Sequence, residues 1–325
     1  MTAYLLSGET RYRDWVLEYA GAWRDRILQN KGKVPTNIGL DGTIGGEWGG
    51  KWYGGTFGWN FDATSNSRNY YMRGVRIGMG NAFLLTRDTT FLDPLRRQLE
   101  NLYAAKKEEN GRILLPNKFG DNGWWAYGPN QHLDVQRDLY LWTMEPGWLE
   151  RLVPADPWIA YLNGKSPAYP EETLRRSLTD IRRRVQGFRN DSSTPDSRAS
   201  DHAQRFNPVV TTPLLNLMNG ANDPGASGNL LHARFRYFDA ERRRAGLPDD
   251  VGALVDSLED GAASVTLVNL SQTAERTLIV QTGAYAEHTA LEVTAGDRTY
   301  KINAPYFTMR RYANQPTLTL LWDQL

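Results

Sequence analysis

Three segments of the chain carry the same mark. Leu5-Leu6-Ser7-Gly8-Glu9-Thr10-Arg11-Tyr12-Arg13-Asp14 is matched by Leu84-Leu85-Thr86-Arg87-Asp88-Thr89-Thr90-Phe91-Leu92-Asp93. A looser copy is Tyr161-Leu162-Asn163-Gly164-Lys165, followed by Tyr169-Pro170-Glu171. Tyr12, Phe91 and Tyr169 recur at intervals of 79 and 78 residues. A near-constant interval of this length is the signature of a repeated supersecondary unit, and it constrains the fold more than any single motif. Each mark opens a helical pattern: Trp15, Val16, Tyr19, Ala20, Trp23 and Ile27; then Leu92, Leu95, Leu99, Leu102 and Tyr103; then Leu174, Leu178, Ile181, Val185 and Phe188. Pro170 followed by Glu171 and Glu172 suits a helix start, where no N–H is needed and carboxylates meet the positive end of the dipole. A long loop rich in Gly, Asn, Pro and Asp comes after each helix. The unit therefore reads helix–long loop–helix and predicts stacked helical hairpins, mainly α, over residues 1–259.

The last quarter changes period. Val265–Leu270, Thr277–Thr282 and the later runs LEVTA, TYKIN and TLTLLW are short and rich in β-branched residues, with turn residues between them. Ala295-Gly296-Asp297-Arg298 reads as a hairpin turn. A small antiparallel β domain is predicted over 260–325.

Helical hairpins built around L-L-[ST]-G-[DE]-x-x-Y-x-D and succeeded by a β-rich tail resemble the α/α-toroid carbohydrate-active proteins, which include many polysaccharide lyases and several glycoside hydrolase families. The tail VTLVNLSQTAERTLIVQTGAYAEHTALEV and the segment LLHARFRYFDAERRRAGLPDDV are similar to bacterial proteins of this toroid-plus-sheet type. The resemblance implies a toroid-like fold and a sugar context; the shared motifs are structural and name no reaction. Only about three units are present, so the resemblance implies an incomplete toroid, part of a longer parent or closed by homo-oligomerisation.

The first loop stands apart from the others. Nine of the twenty residues from Gly39 to Gly58 are glycine, and Trp48, Trp52, Tyr53, Phe57, Trp59 and Phe61 lie among or just after them. A flexible linker lacks large rings, and a core element would not tolerate glycines that each cost roughly 0.5–1 kcal/mol against alanine. A shaped loop remains: glycines bend the backbone and flat rings supply contact area. Flat rings with scattered polar groups suit a ligand with C–H faces and a hydroxyl rim, which is a polysaccharide or oligosaccharide. Ten of the eleven tryptophans lie between Trp15 and Trp158, so this function belongs to the first half.

Bulk properties narrow the remaining classes. A formal net charge of +1 over 325 residues argues against a nucleic-acid partner. The absence of cysteine excludes disulfides, cysteine-ligated zinc and a thiol nucleophile. No apolar run approaches the roughly 20 residues of a membrane span. The N-terminal stretch lacks the basic start and apolar length of a signal peptide. That leaves a cytoplasmic protein, or a periplasmic or secreted one if the chain belongs to a longer precursor. No cofactor and no metal is expected: H-E-x-x-H and EF-hand patterns are missing, and the glycines near Lys51 lack the G-K-[ST] ending of a phosphate loop.

Equivalent loops of a helical repeat emerge on one face, which predicts that residues 30–62, 110–135 and 189–207 share a rim. Two reactions fit a cleft there. β-Elimination from a uronate polymer needs a base for the C5 proton and a group that neutralises the carboxylate. Tyr53, Tyr71, His132, His202, Arg73 and Asn60 are the candidates, with Trp48, Trp52, Trp59, Trp124, Trp125 and Tyr127 as substrate-binding rings. Glycoside hydrolysis needs two carboxylates about 5–10 Å apart, for which Asp41, Glu47, Asp62 and Asp121 are available. An aspartate beside glycine is first a turn residue. A polysaccharide lyase is the leading expectation, a hydrolase the alternative, and a non-catalytic glycan-binding or scaffold protein the reading from another class. Arg175, Arg176 and Arg182–Arg184 read as a solvated helix face paired with Glu171, Glu172 and Asp180.

Overall fold

Helix ends and turns set the architecture of the computed structural model, which describes residues 1–54, 66–197, 207–224, 230–311 and 318–322. The described helices are α1 (Thr2–Ser7), α2 (Thr10–Gln29), α3 (Arg68–Thr86), α4 (Asp93–Ala104), α5 (Leu133–Thr143), α6 (Leu149–Ala155), α7 (Pro157–Leu162), α8 (Tyr169–Arg189) and α9 (Thr212–Asn219). The strands of the first half are β1 (Asn66–Ser67), β2 (Lys107–Glu109), β3 (Arg112–Gly120) and β4 (Gly123–Gly128). Those of the second half are β5 (Phe235–Asp239), β6 (Arg244–Ala245), β7 (Val251–Glu259), β8 (Ala262–Asn269), β9 (Arg276–Thr282), β10 (Ala290–Ala295), β11 (Arg298–Ala304), β12 (Tyr306–Arg311) and β13 (Leu318–Trp322).

The repeated mark has a local physical meaning. At each copy a helix stops on a residue with left-handed backbone: Gly8 (φ 71°), Arg87 (φ 60°) and Gly164 (φ 71°). Their N–H groups return to the Tyr4, Phe83 and Tyr161 carbonyls at 2.8, 2.8 and 2.9 Å, satisfying the open end of the helix before the next one starts. The restart is also specified locally. Asp88 accepts from the Thr90 N–H at 2.9 Å ahead of α4. Asp156, accepting from the Trp158 and Ile159 N–H groups at 3.0 and 3.1 Å, caps α7, the helix that stops at the third mark.

The segments beyond the marks differ from one another, and the mainly α, toroid-like expectation is overturned. Of the described residues 42% are helical and 25% lie in strands. The second long loop folds into strands: β3 pairs with β2 and with β4, and β1 joins β3 to complete a four-stranded antiparallel sheet. The later strands begin at Phe235 and form two antiparallel sheets, in the orders β11-β10-β13-β8-β7 and β12-β9-β5-β6. The physical reason is period 2 where a helical period is assigned: in β5 Phe235, Tyr237 and Asp239 are buried while Arg236 and Phe238 are only half-buried.

The chain divides into two compact units. The first comprises Met1–Leu139 with Pro224–Leu230, and the second Tyr140–Asp223 with Leu231–Leu325. The first has its core in Leu92, Leu95, Leu99 and Leu102, with Ile27, Met79, Ala82, Phe83, Leu115 and Leu139, all buried. Arg76 of α3 holds Asp138 and Asp134 of α5, the latter at 2.9 Å. The second unit buries Leu152, Trp158, Ile159, Phe235, Tyr237, Val255, Val265, Leu267, Leu278 and Val280. No helix among the described residues is long and apolar enough to cross a membrane.

Candidate functional site

In the first unit the glycine-rich loop folds against itself through its own backbone. Gly39 N–H donates to Thr43 O at 2.8 Å, Gly45 N–H to Asn37 O at 2.8 Å, and Gly50 N–H to Gly45 O at 3.0 Å. Gly45 has φ 75°, and a Cβ there would lie 2.4 Å from the Gly50 carbonyl carbon, so only glycine fits. Buried Asn37 then fixes the functional stretch. Its side-chain amide donates to the Lys51 and Tyr53 carbonyls at 3.1 and 2.6 Å, and its N–H and that of Thr36 donate to Trp52 O at 3.2 and 2.8 Å. Lys51, Trp52 and Tyr53 are thereby held by the backbone and side chain of Asn37 and the backbone of Thr36.

These side chains meet the β3–β4 hairpin. Phe119 sits at the centre of a ring cluster, with centroids of Trp52 at 4.7 Å, Trp124 at 4.9 Å and Tyr53 at 5.1 Å. Trp52 and Tyr53 pack edge to face at 5.4 Å, within the range in which ring quadrupoles attract. The Lys33 ammonium lies over Trp52 and Phe119, 5.8 and 5.6 Å from their centroids. Further along β4, Lys118 lies 4.8 Å above Trp125 and Lys107 4.1 Å above Tyr127.

A polar chain closes the platform at the hairpin turn. Tyr53 Oη donates to Asp121 Oδ1 at 2.5 Å, and Lys51 Nζ donates to Asp121 Oδ2 at 3.0 Å. The Tyr53 hydrogen bond, with that of Lys51, holds the Asp121 carboxyl below the usual carboxylate range. The same hydrogen bond pushes the Tyr53 phenol up, and the Asp121 hydrogen bond raises Lys51. At neutral pH the chain is therefore phenol, carboxylate and ammonium.

Of the residues singled out by sequence, Tyr53, Trp52, Trp124 and Asp121 come together, with Trp125 and Tyr127 on the same hairpin. Trp48 lies on the short 3-10 turn Gly46–Trp48, exposed, beside exposed Glu47. Asp41 closes its own turn, accepting from Thr43 N and Thr43 Oγ1 at 2.9 and 2.7 Å, and those bonds lower its pKa. His132 is buried at the head of α5 with φ 54°. Trp59, Asn60, Asp62 and His202 lie outside the described residues, as do the side chains of Tyr71 and Arg73. The loop 189–207 begins in the second unit, whereas the ring platform belongs to the first.

Sequence reasoning missed Phe119 and the four lysines. The available signal was Asp121-Asn122-Gly123 between two runs of rings, a hairpin turn; Pro116 inside the first run masks it as a strand. Among the described residues no group of three or more His, Asp and Glu side chains could hold a metal ion.

A family model described as a domain of unknown function, DUF8034, matches residues 1–153 and 153–215. No curated protein matches the chain, and no solved structure does. The matched residues include the glycine-rich loop, the β3–β4 hairpin and α8, and span well over half of the sequence; the chain belongs to the DUF8034 family.

Proposed function

We propose that the first unit binds a carbohydrate chain on the ring platform of the β3–β4 hairpin, and that the lysines around it favour a glycan bearing carboxylates. The observation that carries this is the gathering of Trp52, Tyr53, Phe119 and Trp124 beside Lys33 and Lys51; Trp125, under Lys118, belongs to the opposite face of the hairpin. Sugar C–H faces stack on such rings, while carboxylates take hydrogen bonds from the ammonium groups and the Tyr53 phenol oxygen, whose proton is given to Asp121, accepts from sugar hydroxyls. Trp52, Tyr53, Phe119 and Trp124 are each only half-buried, so part of the ring surface is open to a ligand.

The protonation of Tyr53 and Asp121 supports binding by this pair more than base catalysis by it. A general base must accept a proton near neutral pH, whereas Tyr53 keeps its proton and Asp121 is too weakly basic. Hydrolysis by a carboxylate pair finds no support in Asp41, whose oxygens are engaged by Thr43.

A second reading, β-elimination from a uronate glycan, draws on the Tyr53–Asp121–Lys51 chain. Lys51 would neutralise the uronate and Tyr53 would protonate the departing glycosidic oxygen. The base for the C5 proton would come from elsewhere, with Tyr71 the candidate by sequence.

The test is affinity electrophoresis and calorimetry against uronate-bearing and neutral polysaccharides, then ultraviolet absorbance of unsaturated uronate and a reducing-end assay. Salt-sensitive retention by a uronate glycan, lost in Trp52→Ala, is the expected outcome. Retention by no glycan overturns the proposal. Unsaturated product that disappears in Tyr53→Phe establishes the second reading in its place.

A further inference from the structure

In the second unit, α8 presents at the surface the apolar row that its spacing assigns to a core. Leu174, Leu178 and Phe188 are 39%, 53% and 59% exposed, and Ile181 and Val185 are half-buried. These five positions are spaced four, three, four and three residues apart. At ~100° per residue they stay within an arc of about 80°, which is the seam of a helix that packs lengthwise on another helix. Arg175, Arg182 and Arg189 each come one residue after an apolar position and form a parallel row on one flank. Arg175 is paired with Glu171 at 2.7 Å; Arg182 and Arg189 are exposed and make no ion pair among the described residues. On the other flank Arg184 donates to the Asn207 and Val209 carbonyls at 3.3 and 3.1 Å, which holds the exposed Val209 alongside the seam. The result is an apolar stripe bordered by Val209 and Arg184 on one side and by Arg175, Arg182 and Arg189 on the other.

We propose that this face docks an amphipathic helix of a partner protein, whose apolar seam meets Leu174, Leu178, Ile181, Val185 and Phe188 and whose acidic flank meets Arg182 and Arg189. A second copy of α8 fits poorly, because lengthwise pairing would set arginine against Arg182, Arg184 or Arg189 in either direction. An anionic bilayer fits less well than a rod: Val209 borders only one side, and Glu171 shares the arginine flank. A helix packed through anchors three and four residues apart matches the spacing, and an acidic flank matches the exposed Arg182 and Arg189.

The experiment uses the full chain and two synthetic peptides of matched length. One carries leucine at the seam positions and glutamate on both flanks; in its counterpart lysine replaces glutamate. Fluorescence anisotropy is expected to show one-to-one, salt-sensitive binding of the acidic peptide and none of the basic one. Arg182→Glu with Arg189→Glu should weaken the acidic peptide by about tenfold or more and admit the basic one, since like charges across an interface oppose docking. Leu178→Gln with Phe188→Gln should abolish binding while circular dichroism stays unchanged, because both side chains are surface-exposed. No binding of the acidic peptide, equal binding of both peptides, or charge reversal without effect would overturn the proposal. So would a dimer lost in the Leu178→Gln, Phe188→Gln protein, or sedimentation with phosphatidylserine vesicles in place of peptide binding.

Discussion

Two groups of aromatic side chains, one in each unit, are used in opposite ways. In the second, Trp158 and Phe235 are fully buried and Tyr237 nearly so, with the Tyr237 hydroxyl donating to Met218 O at 2.8 Å. In the first, the hairpin rings touch one another and lysines while remaining open to solvent at their edges. The tyrosine–aspartate pairs repeat the contrast. Tyr161 reaches Asp256 at 3.4 Å in a half-buried setting, and burial, with that carboxylate, raises its phenol to about 12. Tyr53 is raised chiefly by its hydrogen bond to Asp121, close to solvent. Burial removes apolar area from water and stabilises the fold; rings left half-open forgo part of that gain and keep a surface open to solvent.

The contrast can be broken most sharply at Trp158. Trp158→Ala should cost about 3–5 kcal/mol in chemical denaturation, and a loss within experimental error would remove the distinction between the units. Arg76→Ala should be comparably severe, about 3–5 kcal/mol, because it leaves the buried Asp138 carboxylate without its Arg76 partner. Gly45→Ala should cost about 1–3 kcal/mol and return Tyr53 to ordinary titration, since the loop that presents it can no longer close. If Tyr53 still titrates high in that protein, the loop is not what positions it.

Tyr53→Phe should change stability by about 1 kcal/mol or less yet abolish retention by the glycan. The pH behaviour of the site is set by the direction of each shift. Asp121 is lowered, so its contribution is present above the ordinary aspartate pKa of about 4 and fades as pH falls through its depressed value. Lys51 and Tyr53 are raised, so theirs are complete below about pH 10 and fade as pH climbs through their raised values. Glycan retention should therefore be flat across the neutral range and fall at both extremes; a midpoint near neutrality would point to a different group. The smallest effect on stability belongs to Trp125→Ala, within about 0.5 kcal/mol, with retention of the glycan reduced nonetheless.

Local features were legible in the sequence, and long-range ones were not. The mark at Leu5, Leu84 and Tyr161 does end and restart helices, because capping and left-handed stops are decided within a few residues. The later β runs near Val265, Thr277 and Leu318 are strands for the same reason: their alternation is local. A shared mark says nothing about what the intervening residues do, and there the helical repeat failed. Residues 112–128 pair as strands because Phe119 and Trp124 face each other across the ladder, a match seen only when both strands are considered together. In α2 the apolar set marks a helix correctly, but Trp15 and Tyr19 are exposed while Ala20 and Ile27 are buried. Helical spacing defines a face and leaves open what covers it. At the site, the turn role weighed for Asp41 is what its oxygens perform, whereas Asp121 accepts from a residue sixty-eight positions away.

The loop that carries Tyr53 is shaped by Gly45, Gly50 and Asn37 through main-chain contacts, and the rings it meets stand on a separate hairpin. Frame and furnishing are thus independent. Exchanging Trp125 or Tyr127, whose ring contacts are to lysines, would leave that frame standing, so if the hairpin binds as proposed, relatives built on the same loop can diverge in taste while keeping one construction.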